Sequence, residues 1–446
     1  MISAAPAERV AAGAAPPSRW RIALAGAVAL AVAMGIGRFA FTPLLPMMLH
    51  DGVIDLQAAS WLASMNYLGY LAGALLCTFQ PWLWSRLRGL PPVSGTAVLR
   101  GGLVATGVLT LAMALPAAAL WPLWRFAAGV ASALVFVFTS GWCLAQLARQ
   151  GASAMGGVMY AGPGAGIVVS GLLASGMVAL DWRAAAAWGV FGVLAWGLTA
   201  AVWRRFGPGA AVQPAQVPAT AAPTVADAAS ARNSAAPCVS PTPPTPPTPP
   251  TPPTHGAPEI ALLAFAYGLA GFGYIVTATF LPVIARAALP GSPWLDLFWP
   301  LFGAAVMVGA LLSTRLALTG DLRLLLAAGY GVQAVGVALS VWLPNLAGFA
   351  LSSVLLGLPF TAITFFAMQE VRRVRPAAVA STMGLMTAMY GIGQIVGPPM
   401  AAWLLRRSGG AGFNGSLQVA TGALLVGAAL YLWMVRAWPD VSKGTS

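Results

Sequence analysis

The sequence predicts an all-α integral membrane protein of twelve transmembrane helices, arranged as two six-helix halves. Three observations predict it. The 446 residues are 59% hydrophobic and 7% charged, with a mean hydropathy of +0.80; a soluble domain carries about 25% charged residues. The apolar residues fall into twelve runs, each near the roughly 20 residues that span a bilayer. The basic residues between the runs crowd onto every second connection.

The runs follow in order. Residues 20–48, 57–80, 94–115, 119–148, 153–180 and 183–205 form the first six. Residues 259–289, 293–318, 321–343, 345–372, 378–405 and 412–437 form the second six. Residues 1–19 read as a cytoplasmic N-terminal tail and 438–446 as a cytoplasmic C-terminal tail. Between the halves, 206–258 is rich in Ala, Pro, Ser and Thr and contains "PTPPTPPTPPTPPT". That repeat favours polyproline II and cannot build a core, so it reads as a semi-rigid cytoplasmic linker. The start of the chain does not read as a cleavable signal peptide, because its first apolar run is long enough to span.

The charge pattern sets orientation. With the N-terminus in the cytoplasm, only Arg183, Arg286, Arg406 and Arg407 fall on the opposite face. Arg38 and Arg125 lie inside apolar runs, and the remaining basic residues lie on the cytoplasmic side. Both termini are therefore expected in the cytoplasm, with the chain in the bacterial inner membrane. The net charge of +13 is scattered between apolar runs and forms no patch, so no nucleic-acid partner is expected. Cys77 and Cys143 lie in apolar runs and Cys238 in the linker; His50 reads as a loop residue and His255 as part of the linker. No cofactor or metal site follows from that set.

The halves repeat each other. "GIGRFAFTPLLP", starting at Gly35, aligns with "GFGYIVTATFLP", starting at Gly271; "ASAMG" at Ala152 aligns with "ASTMG" at Ala380. These matches fall on the first and seventh runs and on the fifth and eleventh. Two parallel six-helix repeats joined by a linker describe a secondary-transporter architecture.

With those motifs in hand, the chain resembles the major facilitator superfamily over nearly its whole length. "RFAAGVASA" from Arg125 is similar to that family's fourth-helix motif, and "YAGPGAGIVVSG" from Tyr160 to its fifth-helix motif. "GIGRFAFTPLLPMM" is similar to the first helix of the YbfB/YjiJ-like bacterial branch. The resemblance implies a central cavity lined by helices 1, 4, 7 and 10. In one respect the chain departs from the family. The loop after the second run, "FQPWLWSRLRGLPP", has Arg86 and Arg88 but no carboxylate, whereas "TRLALTGDLR" keeps Asp321 between Arg315 and Arg323.

Arg38 lies about 18 residues into the first run, so roughly 27 Å along a helix that needs about 30 Å to cross. A charge at membrane depth costs about 3 kcal/mol on insertion scales. Arg38 and Arg125 are therefore expected to bind an anionic substrate; the alternative is a structural arginine bonded to backbone carbonyls. Tyr274 is the repeat partner of Arg38, and Tyr267 lies seven residues earlier on a similar face. Gln394 and Tyr160 complete the candidate substrate-binding set, with Asn66, Tyr67 and Tyr390 read as helix–helix hydrogen-bonding residues.

Glu370 is the candidate coupling residue, with a local ion pair to Arg372 or Arg373 as its alternative. Asp51, Asp55, Asp181 and Asp296 fall in loops or at helix ends. The expected function is alternating-access transport of a small organic solute, expected to be anionic. The alternative is a multidrug or lipophilic-compound exporter of the same fold. An enzyme is not expected, since the membrane surface lacks a clustered base, nucleophile or metal site. The expected partners are a small-molecule substrate, a coupling proton as one option, and the lipid bilayer; the chain is expected to be a monomer.

Overall fold

The computed structural model describes residues 18–86, 94–152, 155–206, 256–292, 294–313, 315–316, 321–375, 379–408 and 412–439. Most of the expected linker and both tails lie outside the described residues, as do Cys238 and His255. The described residues form twelve membrane-length helical units. In the first half these are α1 (Arg19–His50), α2 (Leu56–Arg86), α3 (Gly95–Ala112), α4 (Trp121–Arg149), α5 (Gly156–Ala179) and α6 (Ala184–Val202). In the second they are α7 (Ala257–Ala288), α8 (Phe298–Ser313), α9 (Leu322–Trp342), α10 (Leu346–Val374), α11 (Val379–Ser408) and α12 (Gly412–Ala437). Among the described residues, eleven of these units are long and apolar enough to cross a membrane. The twelfth, α11, is diluted by Gln394, several glycines and the Pro398–Pro399 pair. Large apolar side chains such as Leu123, Val193 and Leu432 lie exposed on the helix faces. Against lipid tails such faces need no polar cover.

The two halves use the same internal pairings. α2 packs on α4 as α8 does on α10, α3 on α6 as α9 on α12, and α1 on α5 as α7 on α11. The α1–α5 seam is close because a side-chain carbon on Gly35 would collide with the Gly166 backbone. Its counterpart on Gly271 would collide with the Tyr390 carbonyl of α11. Small residues permit this approach, which is how membrane helices gain packing without a hydrophobic drive between them.

Across the halves, α2 packs on α11, α5 on α8 and α1 on α7. Thr42 Oγ1 donates to the Ala278 carbonyl at 2.9 Å, across a sequence separation of 236. That is the repeat offset, so the two residues are repeat equivalents. Equivalent positions can touch only where the pseudo-two-fold axis passes. The repeat read from sequence is therefore geometric as well.

One expectation is corrected. Residues 20–48 were expected as one continuous helix, but α1 has three parts: α-helix Arg19–Leu30, π-helix Ala31–Ile36, then a turn leading into Phe41–His50. The Gly37 and Phe39 amides reach back five residues, to Val32 and Met34 at 2.9 Å. Thr42 bonds the Phe39 carbonyl three residues back, and Pro43 has no N–H to offer the ladder. Such wide turns recur at functional sites. His50, expected in a loop, closes this helix instead.

Candidate functional site

The break in α1 decides where two arginines point. It leaves the Gly37 and Arg38 carbonyls without helical partners. Arg125, near the start of α4, takes both: Nη1 donates to Gly37 O at 3.2 Å and Nη2 to Arg38 O at 3.3 Å. Its guanidinium also lies 4.9 Å from the Phe41 ring centroid. Asn66 Nδ2 donates to the Arg125 carbonyl at 2.9 Å, and Ser132 Oγ donates to Ala33 O at 2.7 Å. The fourth-helix arginine is thus a brace for the broken first helix.

Arg38 leaves that turn toward the other half. Its Nη2 donates to Gln394 Oε1 of α11 at 2.6 Å, and Gln394 Nε2 donates to the Tyr274 hydroxyl of α7. The guanidinium carbon lies 4.1 Å from the Tyr70 ring centroid, 5.1 Å from that of Tyr67 and 5.5 Å from that of Phe39. Arg38 is 3% exposed. Every partner named here is neutral, and its Nε has no hydrogen-bond partner among the described residues. Cation–π contacts of this kind are worth up to about 2 kcal/mol each when desolvated. They soften the burial without cancelling the charge.

An aromatic array surrounds this link. Tyr390 stacks on Tyr267 at 4.8 Å and on Tyr274 at 5.9 Å between centroids. The Tyr267 hydroxyl donates to Thr364 at 3.1 Å, and Phe360 meets the Tyr274 ring edge-on at 4.8 Å. On the first half, Tyr70 neighbours Phe136 at 6.5 Å, and Phe136 neighbours Tyr160 at 6.2 Å. The Tyr67 hydroxyl lies 3.0 Å from Thr279 Oγ1. Of the candidate residues, Arg38, Tyr274 and Gln394 meet directly. Tyr267 joins them through Tyr390, and Tyr160 through Phe136 and Tyr70. Tyr70 and Phe360 were not among the sequence candidates. Tyr67 and Tyr70 share a helical face at a spacing of three, which was the available signal.

Glu370 belongs to a second cluster, where the second half meets the linker. Ten residues, about 15 Å of helix, separate it from Phe360. Its Oε1 accepts from Arg373 at 2.7 Å and lies 3.6 Å from Arg323. Arg323, 1% exposed, clamps Asp321 with two bonds of 3.0 and 2.9 Å. It also lies 3.7 Å from Glu259 and donates to the Met434 carbonyl at 3.1 Å. Asp321 caps α9 through the Arg323 amide at 2.9 Å. Burial pushes the Asp321 carboxyl up, but the Arg323 hydrogen bonds and charge outweigh it and hold it below the usual carboxylate range. Glu259 had drawn no attention in the sequence, although a carboxylate in the first turn of an apolar run was its mark.

Residues 30–432 match the family described as uncharacterised MFS-type transporter YbfB. The chain belongs to that family of the major facilitator superfamily. A crystal structure of a mutant of the nucleoside transporter NupG is similar in fold, with TM-score 0.65 and 14% identity. That match covers 93% of this chain and 99% of the other. No curated protein sequence matches the chain. This YbfB-type chain is therefore an integral multi-pass membrane transporter.

Proposed function

We propose that this transporter moves a small organic anion by alternating access, with Arg38 as the anion's contact. The observation that carries the reading is a guanidinium buried at the junction of the halves whose partners are all neutral. A carboxylate or phosphate would supply the missing charge and bond in two-pronged fashion. The amide oxygen of Gln394 stands where one oxygen of that anion would sit. Tyr274, Tyr267 and Tyr160 complete the site, and Arg125 acts as its positioning residue.

Alternating access rests on the packing between halves. α1 and α7 are bonded through Thr42, while α4 and α10 form no packed pair among the described residues. Rocking about such an interface exposes one site to each side in turn. Both halves reside in one chain, so a monomer suffices. Basic residues of the sequence crowd the linker-side connections, which supports a cytoplasmic linker and cytoplasmic termini in an inner-membrane protein. A coupling proton, if used, has Glu370 as its carrier, because Glu370 Oε2 is buried without a hydrogen-bond partner among the described residues.

The aromatic array supports a second reading, an exporter of lipophilic compounds. One experiment separates the two: ligand-induced thermal stabilisation against carboxylates, phosphorylated metabolites and lipophilic cations. A ligand that binds the folded state raises its stability with concentration over affinity. The anion reading expects stabilisation by a carboxylate or phosphate that Arg38→Ala abolishes. Hits confined to lipophilic cations and unchanged in that variant replace it with the exporter.

A further inference from the structure

We infer that the anion carried by this site bears a planar ring, so that the substrates are aromatic carboxylates or comparable ring-bearing anions. The inference rests on the anion reading above and names the remainder of the ligand.

The guanidinium of Arg38 stacks on Tyr70 at 4.1 Å from one half of the molecule. From the other half, Gln394 ties it to Tyr274, and Tyr274 continues into a near-parallel ladder with Tyr390 and Tyr267, the interplanar angles being 21° and 28°. Most of that ladder is sealed: Tyr274 is 1% and Tyr267 2% exposed. Tyr70 and Tyr390 are only half-buried. They come from opposite halves, and each lies against a buried member of the Arg38 group. Each therefore leaves part of its ring accessible beside the Arg38 group. An aliphatic anion would use the guanidinium and leave that residual ring surface bare. A planar ring covers it, meeting the rings offset or edge-on, and such aromatic contacts add stabilisation beyond their buried area. The proposed contacts, Arg38 and Tyr70 from one half and Tyr390 from the other, would let the ligand bridge the two bodies that must move.

The test uses the full chain, purified in detergent, and three probes: benzoate, cyclohexanecarboxylate and benzamide. Benzoate and cyclohexanecarboxylate match in charge and size but differ in planarity; benzamide keeps the ring and loses the charge. The expected result is a thermal shift with benzoate at concentrations several-fold below those needed for cyclohexanecarboxylate, and none with benzamide. The benzoate preference should vanish in Tyr390→Leu and persist in Tyr390→Phe, which controls for folding. Equal shifts from both carboxylates, lost in Arg38→Ala, overturn the ring and leave the anion reading standing. Absence of any carboxylate shift in a chain that melts cooperatively overturns both.

Discussion

At the junction of the halves, Arg38 is buried among aromatic rings and one amide; at the linker end, Arg323 is buried among three carboxylates. Both are almost fully inaccessible. At Arg323 the chain supplies every countercharge, and the guanidinium ties α7, α9, α10 and α12 together within one half. At Arg38 the chain supplies shape and polarisability and withholds the charge. A buried ion that is locally matched is a fastener. A buried ion that is locally unmatched is poised for a ligand.

The largest expected effect breaks the fastener. Arg323→Ala leaves Asp321, Glu259 and Glu370 facing one another, and removing one member of a buried pair costs about 3–5 kcal/mol. A Tm lowered by many degrees, or loss of folded protein, is expected. A variant with an unchanged Tm would erase the contrast between the clusters. Acid should act on the same cluster. Asp321 titrates below its unfolded value, so its contribution is present above that value and lost as pH falls through the depressed one. In Asp321→Asn that part of the acid sensitivity should disappear from Tm-against-pH curves.

Next comes a substitution that makes the two arginines alike. Gln394→Glu gives Arg38 a built-in carboxylate at the position of the 2.6 Å amide contact. Anion binding should weaken at least tenfold, roughly 1.4 kcal/mol, while the protein stays folded. Undiminished anion-induced stabilisation would show that Arg38 is not the contact. A comparable effect, shared between stability and binding, follows from Arg125→Ala, which frees the Gly37 and Arg38 carbonyls. Unpaired buried carbonyls cost about 1–3 kcal/mol. Both Tm and anion affinity should fall, because Arg38 then hangs on an unbraced turn. The smallest is Thr42→Val, which removes one hydrogen bond between the halves, worth about 0.6 kcal/mol in membrane proteins. Its expected signature is a change in transport rate with almost no change in Tm.

The helices were legible because lipid demands long uninterrupted apolar runs, and twelve such runs are hard to hide. The repeat was legible because Gly35, Gly37 and Pro46 recur as Gly271, Gly273 and Pro282. The break in α1 was not, since its residues are as apolar as their neighbours. Only Gly37 and Pro43 hint that a carbonyl will go unpaired. Arg38 announced itself as a charge out of place. Arg125 did so equally, but its targets are backbone oxygens on another helix, and no spacing within α4 reveals them. Glu259 and Arg323 sit at opposite ends of a long sequence interval and become one cluster only when α7 and α9 start side by side.

The contact of Thr42 with its own repeat equivalent has a further consequence. If the two halves were identical copies paired as a dimer, each position on the axis would face itself. The arginine at 38 would then stand opposite a second arginine, and two like charges would share a dry interface with nothing to separate them. Joining the copies into one polypeptide removes that constraint. One copy keeps the guanidinium, the other presents the phenol of Tyr274, and the pair becomes an acceptor for a third party. The covalent connection thus does more than hold the halves together: it licenses them to differ where symmetry would have forbidden it.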